Sequence, residues 1–171
     1  ENTVTGRENH YFQVSTSDMN SDRPAFEAET ERFLASLSQR QPYHEDVRLG
    51  YIGVPPLISD LYSFIESLNA RVVFNEMQRQ FSMPYHTQSL VEQYLRYTCP
   101  YDIFMRIADI KQEINKRRLD GLIHYVQSFC FRQIEDPLFK KSFTIPTLTI
   151  EGDQPSALDS RNMMKIEVFI E

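Results

Sequence analysis

From Val47 onward, short apolar runs alternate in this sequence with stretches of helical pattern. Apolar runs typical of buried strands lie near residues 48–54, 71–75, 121–128 and 147–151. The stretches between them carry apolar residues at helical spacing. Repeated strand–helix units of this length favour a parallel sheet covered by helices on both faces. We therefore expect residues 47–171 to form a three-layer α/β domain with a four-stranded parallel sheet.

The connections between these strands are predicted mostly as helices. Helical spacing covers residues 57–69 and a strong stripe made of Ile103, Phe104, Ile107, Ile110 and Ile114. Further helices are predicted near Thr87–Tyr97, at residues 132–143 with an interruption at Pro137, and from Asp159 to the end of the chain. Residues 77–86 are polar and rich in Met and Gln, so we expect a loop there.

Residues 1–46 differ in character from the rest of the chain. Residues 1–24 are polar, contain many turn formers and lack a sustained hydrophobic period, which predicts a loop-rich segment. A helix is predicted from Ala25 to about Leu37, followed by a polar linker. Because the chain starts with Glu rather than Met, we expect a piece of a longer protein, with one helix in residues 1–46.

Composition narrows the class of protein. The chain has 171 residues, of which 41% are hydrophobic, enough for one sizeable core. The net charge is −6 and no basic stripe with interleaved aromatic residues occurs, which disfavours nucleic-acid binding. The sequence contains no apolar run of about 18 residues, the length that predicts a membrane-spanning helix. No signal peptide is visible. Two cysteines do not make a secreted disulfide framework, so we expect a cytoplasmic protein.

Motifs for nucleotide binding, serine hydrolysis and zinc proteolysis do not occur in the sequence, and it contains only five glycines. A phosphate-cradling site within this piece is therefore not expected. Cys99 and Cys130 lie far apart and lack C-x-x-C spacing, so this piece cannot complete a four-thiolate site. Cys99, at a helix end before Pro100, is interpreted as structural.

Polar side chains follow three of the predicted strands, and in a parallel sheet those positions meet at one edge. They are Asn75, Glu76 and Arg79 after the second strand, Gln127, Ser128 and Cys130 after the third, and Glu151 and Asp153 after the fourth. A single Glu or Arg at such a position is more often a solvated or capping residue than a catalytic one, and Asp153 is typical of a turn. His124, inside an apolar strand, is more typical of a hydrogen-bonded core histidine than of a ligand.

The residue type of Cys130 by itself allows two interpretations of its role. Free cysteine is among the most buried residue types and packs as a small hydrophobe, or it can be a metal ligand or reactive thiol where positive charge favours the thiolate. Polarity rises only at Gln127 and Ser128, where the strand would emerge at the ligand-binding edge. We expect the Cys130 sulfur to point into a crevice, with residues 132–135 starting a helix whose dipole favours a thiolate.

Several stretches resemble the C-terminal half of the 2-hydroxyglutaryl-CoA dehydratase D-component family, which includes benzoyl-CoA reductase subunits and double-cubane cluster reductases. They are RLGYIGVPPLISDLYSFIESLNARVVFNEMQRQ, CPYDIFMRIADIKQEI, DGLIHYVQSFCFRQIEDPLFKK, PTLTIEGD and LDSRNMMKIEVFIE. The resemblance covers essentially the whole chain, and HYVQSFC with the following IEGD segment is its most specific part. The opening TGRENHYFQVSTSDMNSD resembles the segment that joins the two halves of these proteins, which implies that residues 1–46 are an inter-domain connecting segment with one helix.

The resemblance implies a flavodoxin-like α/β domain of a two-domain, oxygen-sensitive, cytoplasmic iron–sulfur protein. An ATP-hydrolysing activator iron–sulfur protein would deliver single electrons at low potential to its [4Fe–4S] or double-cubane cluster. Cys130 stands at the position of a cluster ligand in the family, and cysteines outside this piece would complete the site. Gln127, Ser128 and Arg79 are candidates for lining the cofactor pocket. A homologous subunit and an acyl-CoA or other small-molecule substrate are the further implied partners.

Two departures bear on the chemistry. Some family members carry a further cysteine in the loop after the second strand, where this chain reads NEMQRQFSMP, and Cys99 stands where relatives have Tyr, so it is not counted as a ligand. The expected function is an iron–sulfur subunit of an ATP-dependent reductase (an oxidoreductase) or of a 2-hydroxyacyl-CoA dehydratase (a lyase). The alternatives are a non-catalytic electron-relay or interaction module, and a plain ligand-binding domain with Cys130 buried in the core.

Overall fold

Four parallel strands form one sheet in the computed structural model, which describes residues 2–96 and 102–171. They are β1 (Val47–Gly53), β2 (Ala70–Asn75), β3 (Gly121–Val126) and β4 (Thr147–Glu151). The strand order is β2-β1-β3-β4, and each neighbouring pair is parallel. The predicted parallel sheet is confirmed, and its order is that of flavodoxin-like doubly wound folds.

The helices of the described ranges surround this sheet. They are α1 (Gly6–Ser15), α2 (Arg23–Leu37), α3 (Leu61–Ser67), α4 (Glu76–Phe81), α5 (Leu90–Leu95), α6 (Ile103–Arg117), α7 (Asp136–Ser142) and α8 (Ser160–Ile170). Short 3₁₀ helices cover Met19–Ser21 and Phe131–Glu135. Among the described residues, no helix is both long and apolar enough to cross a membrane.

Both faces of the sheet are covered, which explains why its central strands read as continuous apolar runs. Leu49, Tyr51, Ile123 and Tyr125 point to the face that packs against α3 and α8. Ile52, Phe74 and Leu122 point to the opposite face, which packs against α6 and α7. The result is the three-layer α/β arrangement that the strand–helix alternation predicts.

The prediction of a loop-rich segment at residues 1–24 with a single helix in residues 1–46 is wrong, because α1 precedes α2. A capping box starts α1: Thr5 Oγ1 accepts a hydrogen bond from the Glu8 N–H at 3.1 Å, and the Glu8 carboxylate accepts one from the Thr5 N–H at 2.9 Å. Helix α1 packs against α3, α4 and β2, and Phe12 stacks on Phe33 of α2 with ring centroids 4.2 Å apart. The T-x-x-E signature was the sequence signal that could have predicted the start of α1. A hydrophobic period was missing because α1 has few buried residues.

The segment after β2 also differs from expectation, since helix α4 replaces the predicted loop. Its residues Glu76, Gln78, Arg79 and Gln80 are buried despite their polarity. Polar composition predicted solvent exposure, but α1 covers this segment and charged side chains of α6 neutralise its own. Only partners distant in sequence make this burial possible.

Other boundaries need smaller corrections. The predicted helix Thr87–Tyr97 is limited to α5, and Tyr97 and Cys99 lie outside the described residues. Phe104, placed on the buried stripe of α6, is 75% exposed. The predicted helix at residues 132–143 is the 3₁₀ helix Phe131–Glu135 followed by α7, with Pro137 in the first turn of α7 where a missing N–H costs nothing. Asp159 caps α8 as expected.

Candidate functional site

A crevice lies at the carboxyl ends of β1 and β3. The chain leaves β1 toward β2 on one side and leaves β3 toward β4 on the other, so this is the topological switch point of the sheet. Its walls come from β1, α4, α6, β3 and the turn after β3. The lining residues are Gly53, Val54, Met77, Arg106, His124, Tyr125, Val126, Gln127, Cys130, Arg132 and Gln133.

Gly53 shapes the β1 side of the crevice. Its φ is +97°, a conformation that residues with a Cβ rarely adopt, and a Cβ there would lie 2.4 Å from the Tyr125 carbonyl oxygen. The Gly53 N–H donates a hydrogen bond of 3.1 Å to the Glu76 carboxylate. Glycine therefore lets the end of β1 approach β3 closely while its backbone holds a buried acid in place.

Cys130 lies on the opposite wall, one turn beyond the end of β3. It is a free, partly exposed cysteine, and its N–H donates to the Gln127 carbonyl oxygen at 2.9 Å to close that turn. The partial exposure is at odds with a cysteine buried in the core. The helix predicted after Cys130 is a five-residue 3₁₀ helix and not an α-helix. The predicted α-helix dipole at this thiol is therefore not present.

The other predicted pocket residues divide between two places. Gln127 is buried and lines the crevice with Cys130. Ser128 turns away, because its N–H and hydroxyl donate to the Asp153 carboxylate at 2.7 and 2.5 Å. These hydrogen bonds lower the pKa of Asp153 below its ordinary value. Ser128 and Asp153 therefore join the loops that follow β3 and β4 instead of lining the pocket.

Arg79 does not reach the crevice, contrary to the prediction. It lies on α4, and its guanidinium pairs with Asp109 and with Glu113, the latter at 3.4 Å, on α6. Burial raises the pKa of Asp109, and the Arg79 guanidinium opposes that rise. Arg79 therefore holds α4 against α6, because helix formation after β2 turns its side chain away from the sheet edge.

Arg106 occupies the crevice wall in its place. Its guanidinium forms two hydrogen bonds to the Glu76 carboxylate, at 2.7 and 2.8 Å, and also pairs with Glu135. Burial by itself would raise the pKa of Glu76, but the Arg106 charge and the Gly53 N–H lower it below its ordinary value. A buried, charge-compensated carboxylate thus lies behind the part of the crevice wall that Arg106 forms. Arg106 was not predicted from the sequence as a residue of the site. It lies three positions after Ile103 and four before Ile110, so the available signal was a charged residue on the apolar stripe of α6.

His124 also lines the crevice and is the hydrogen-bonded core histidine that its position in an apolar strand suggested. Its Nδ1 lies 2.7 Å from an Asp136 carboxylate oxygen, and Lys140 and Thr149 also donate to Asp136. Burial lowers the pKa of His124, and Asp136 partly opposes that shift. This dyad fixes the orientation of the imidazole at the crevice wall.

The crevice is small and poor in metal donors. It encloses about 20 Å³, enough for about one water molecule. Across residues 2–96 and 102–171, no group of three or more His, Cys, Asp or Glu side chains could hold a metal ion. A substrate or cofactor would therefore contact this wall from outside the domain.

Comparisons with known proteins place this fold in a family. No curated protein matches the sequence. The family model described as 2-hydroxyglutaryl-CoA dehydratase, D-component, matches residues 1–171. This family is dehydratase-related, which agrees with the sequence resemblance and with the parallel α/β fold. The chain therefore belongs to the 2-hydroxyglutaryl-CoA dehydratase D-component family.

Proposed function

We propose that this chain is the C-terminal domain of an iron–sulfur subunit in an ATP-dependent, activator-driven reductase or 2-hydroxyacyl-CoA dehydratase. The observation that carries the proposal is the placement of Cys130, a partly exposed thiol on the wall of the switch-point crevice, in a chain of this family. Ligands of open α/β sheets bind at such switch points. The partners in this proposal are the ATP-hydrolysing activator, a homologous subunit, and an acyl-CoA or other small-molecule substrate.

The donor set of this chain fits one corner of a cluster site. Iron–sulfur clusters are held by cysteine thiolates, and Cys130 offers one at the crevice. The small crevice volume and the absence of other grouped donors in the described residues support a cluster that lies above this wall, with further cysteines supplied from outside the chain. When bound, such a cluster supplies single electrons at low potential.

The remaining residues keep the wall in place. The Arg106–Glu76–Gly53 network ties α6, α4 and β1 together beneath the crevice. Tyr125 donates to the Gly152 carbonyl oxygen at 2.5 Å and accepts from the Leu57 N–H at 3.3 Å, which ties β3 to the loops after β1 and β4. A wall fixed in this way presents the Cys130 thiol at a constant position, as a shared cluster ligand requires.

The proposal is tested in the parent protein, purified without oxygen together with its activator. Cys130→Ser is expected to lower iron and sulfide content and to abolish turnover, while the circular dichroism spectrum stays unchanged. Ser128→Ala is the matched control on the same turn, because its hydroxyl faces Asp153. Full cluster content and turnover in Cys130→Ser would refute the role of Cys130. Full cluster content of the parent protein without turnover of acyl-CoA thioesters would instead support the electron-relay module.

A second measurement uses the 171-residue chain alone. Reconstituted anaerobically, it is expected to bind no stoichiometric cluster, because its two thiolates are far apart in sequence and the crevice has room only for water. A stable iron–sulfur chromophore in the isolated chain would contradict the proposal that the site is shared.

A further inference from the structure

An apolar surface that shares no lining residue with the crevice lies along the β4 edge of the sheet. β4 is the last strand in the order β2-β1-β3-β4. Two hydrogen bonds show which backbone groups of this segment face β3. The Leu122 N–H donates to the Pro146 carbonyl oxygen just before β4, and the Gly152 N–H just after β4 donates to the Val126 carbonyl oxygen, so the even-numbered residues face β3. In a parallel strand the alternate positions face the other way. The backbone groups of Thr147 and Thr149 therefore point to an edge with which no other strand of the described residues pairs, so another strand can add there.

An apolar groove runs beside this edge, between β4 and α8. Leu148 of β4 and Met164, Val168 and Phe169 of α8 line it. Met164 is 65% exposed and Val168 is 69% exposed. The groove encloses about 540 Å³, compared with about 20 Å³ for the Cys130 crevice. It therefore has room for several side chains of an added strand.

Two cations, Arg161 and Lys165, form the polar rim of the groove. Neither makes an ion pair or hydrogen bond with another residue of the described ranges through its side chain. Arg161 lies in the first turn of α8, where positive charge opposes the helix dipole, and Lys165 lies four residues further on, a spacing at which like charges repel each other. The stability of α8 therefore does not explain why Arg161 and Lys165 are positively charged. An acidic partner that pairs with both side chains would explain it.

A second copy of the chain fits this edge poorly. A two-fold interface brings the same patch of both copies together. None of the residues that line the groove is acidic, so the same patch of a second copy would offer Arg161 and Lys165 only apolar side chains and further cations. The charge pattern favours a different partner, one with acidic residues.

We propose that the β4 edge binds an extended segment of another polypeptide as a fifth strand, with apolar side chains in the groove and acidic side chains on Arg161 and Lys165. Strand addition of this kind derives affinity from main-chain hydrogen bonds and specificity from alternate side chains. The surface is separate from Cys130, so this proposal does not depend on the cluster.

The test uses the 171-residue chain and a fluorescein-labelled nine-residue peptide with Val and Glu in turn at its odd positions and Thr at its even positions, so that Val and Glu share the strand face turned to α8. Binding is expected by fluorescence anisotropy, together with NMR shifts of the Thr147 and Thr149 amides larger than that of Leu148. A peptide with Lys in place of Glu, and one with Pro at its centre, should not bind. Arg161→Glu with Lys165→Glu should weaken binding about tenfold, as expected for two exposed ion pairs, while Lys111→Glu on α6 should leave it unchanged.

A further variant tests the strand edge itself. Thr147→Pro removes a free-edge N–H at the first residue of the strand, a position where proline is tolerated, and should weaken binding while the melting temperature stays within a few degrees. Equal binding of the Glu and Lys peptides, or full binding by the charge-reversed chain, would overturn the proposal. Sedimentation showing a dimer that these substitutions dissociate would also overturn it, because the occupant would then be a second copy.

Discussion

Replacing Arg106 with Met removes the cation that neutralises a buried carboxylate beneath the crevice. Glu76 is 1% exposed and Arg106 is 2% exposed, and two hydrogen bonds of 2.7 and 2.8 Å join them. Met keeps most of the side-chain length, so the loss is mainly electrostatic. Breaking a buried ion pair by removing one partner costs about 3–5 kcal/mol, which for a domain of this size lowers the melting temperature by about 6–20 °C.

The assay is urea unfolding followed by circular dichroism, with thermal melts alongside. The double variant Arg106→Met with Glu76→Gln is expected to regain much of the loss, because neither buried charge remains and Gln can still accept the Gly53 hydrogen bond. Arg23→Met provides the matched control, since the Arg23–Glu27 pair is exposed at 71% and 56% and should matter by less than about 1 kcal/mol.

The pH dependence gives the same reasoning a second test. Burial raises the pKa of Glu76 and Arg106 opposes that rise in the native chain, so without Arg106 the folded-state pKa should lie above the unfolded one. The destabilisation is then largest above that raised pKa and shrinks as the pH falls through it, because protonated Glu76 carries no charge. A single variant as stable as the native chain at pH 7, or a loss independent of pH, would refute the account of a buried, charge-compensated pair.

Three further predictions follow from local features. Gly53→Ala should destabilise the chain by about 1–3 kcal/mol in urea unfolding, because its φ is +97° and a Cβ would lie 2.4 Å from a carbonyl oxygen; unchanged stability would show that β1 can shift. Thr5→Ala should cost about 0.5–2 kcal/mol by removing the cap of α1, and no change in unfolding would mean that α1 adds nothing to stability. Burial lowers the pKa of His124 below its ordinary value of 6.5, so its contribution to stability is present above that value and is lost as the pH falls below it; His124→Gln should flatten the fall in unfolding free energy between pH 7.5 and 5.5, and an unchanged slope would contradict this.

The architecture of the domain could be predicted from local patterns in the sequence. Apolar runs separated by helical spacing predicted the four parallel strands, because strands covered on both faces must be apolar throughout. The sequence also predicted where Cys130 would lie, since polarity rises where a strand leaves the core and parallel strands end together at one edge. Both conclusions rest on local pattern, which a single chain displays without knowledge of its contacts.

Which polar residues are buried, and what they contact, depends on pairs of residues that only folding brings together. Arg106 and Glu76 are far apart in sequence, and neither could be buried alone, because the cost of desolvating a charge is offset only by a partner that folding brings near. The same reason places Arg79 on Asp109 instead of in the crevice. Helix α4 was missed for this cause, since its polar residues look like a loop until α1 and α6 cover and neutralise them.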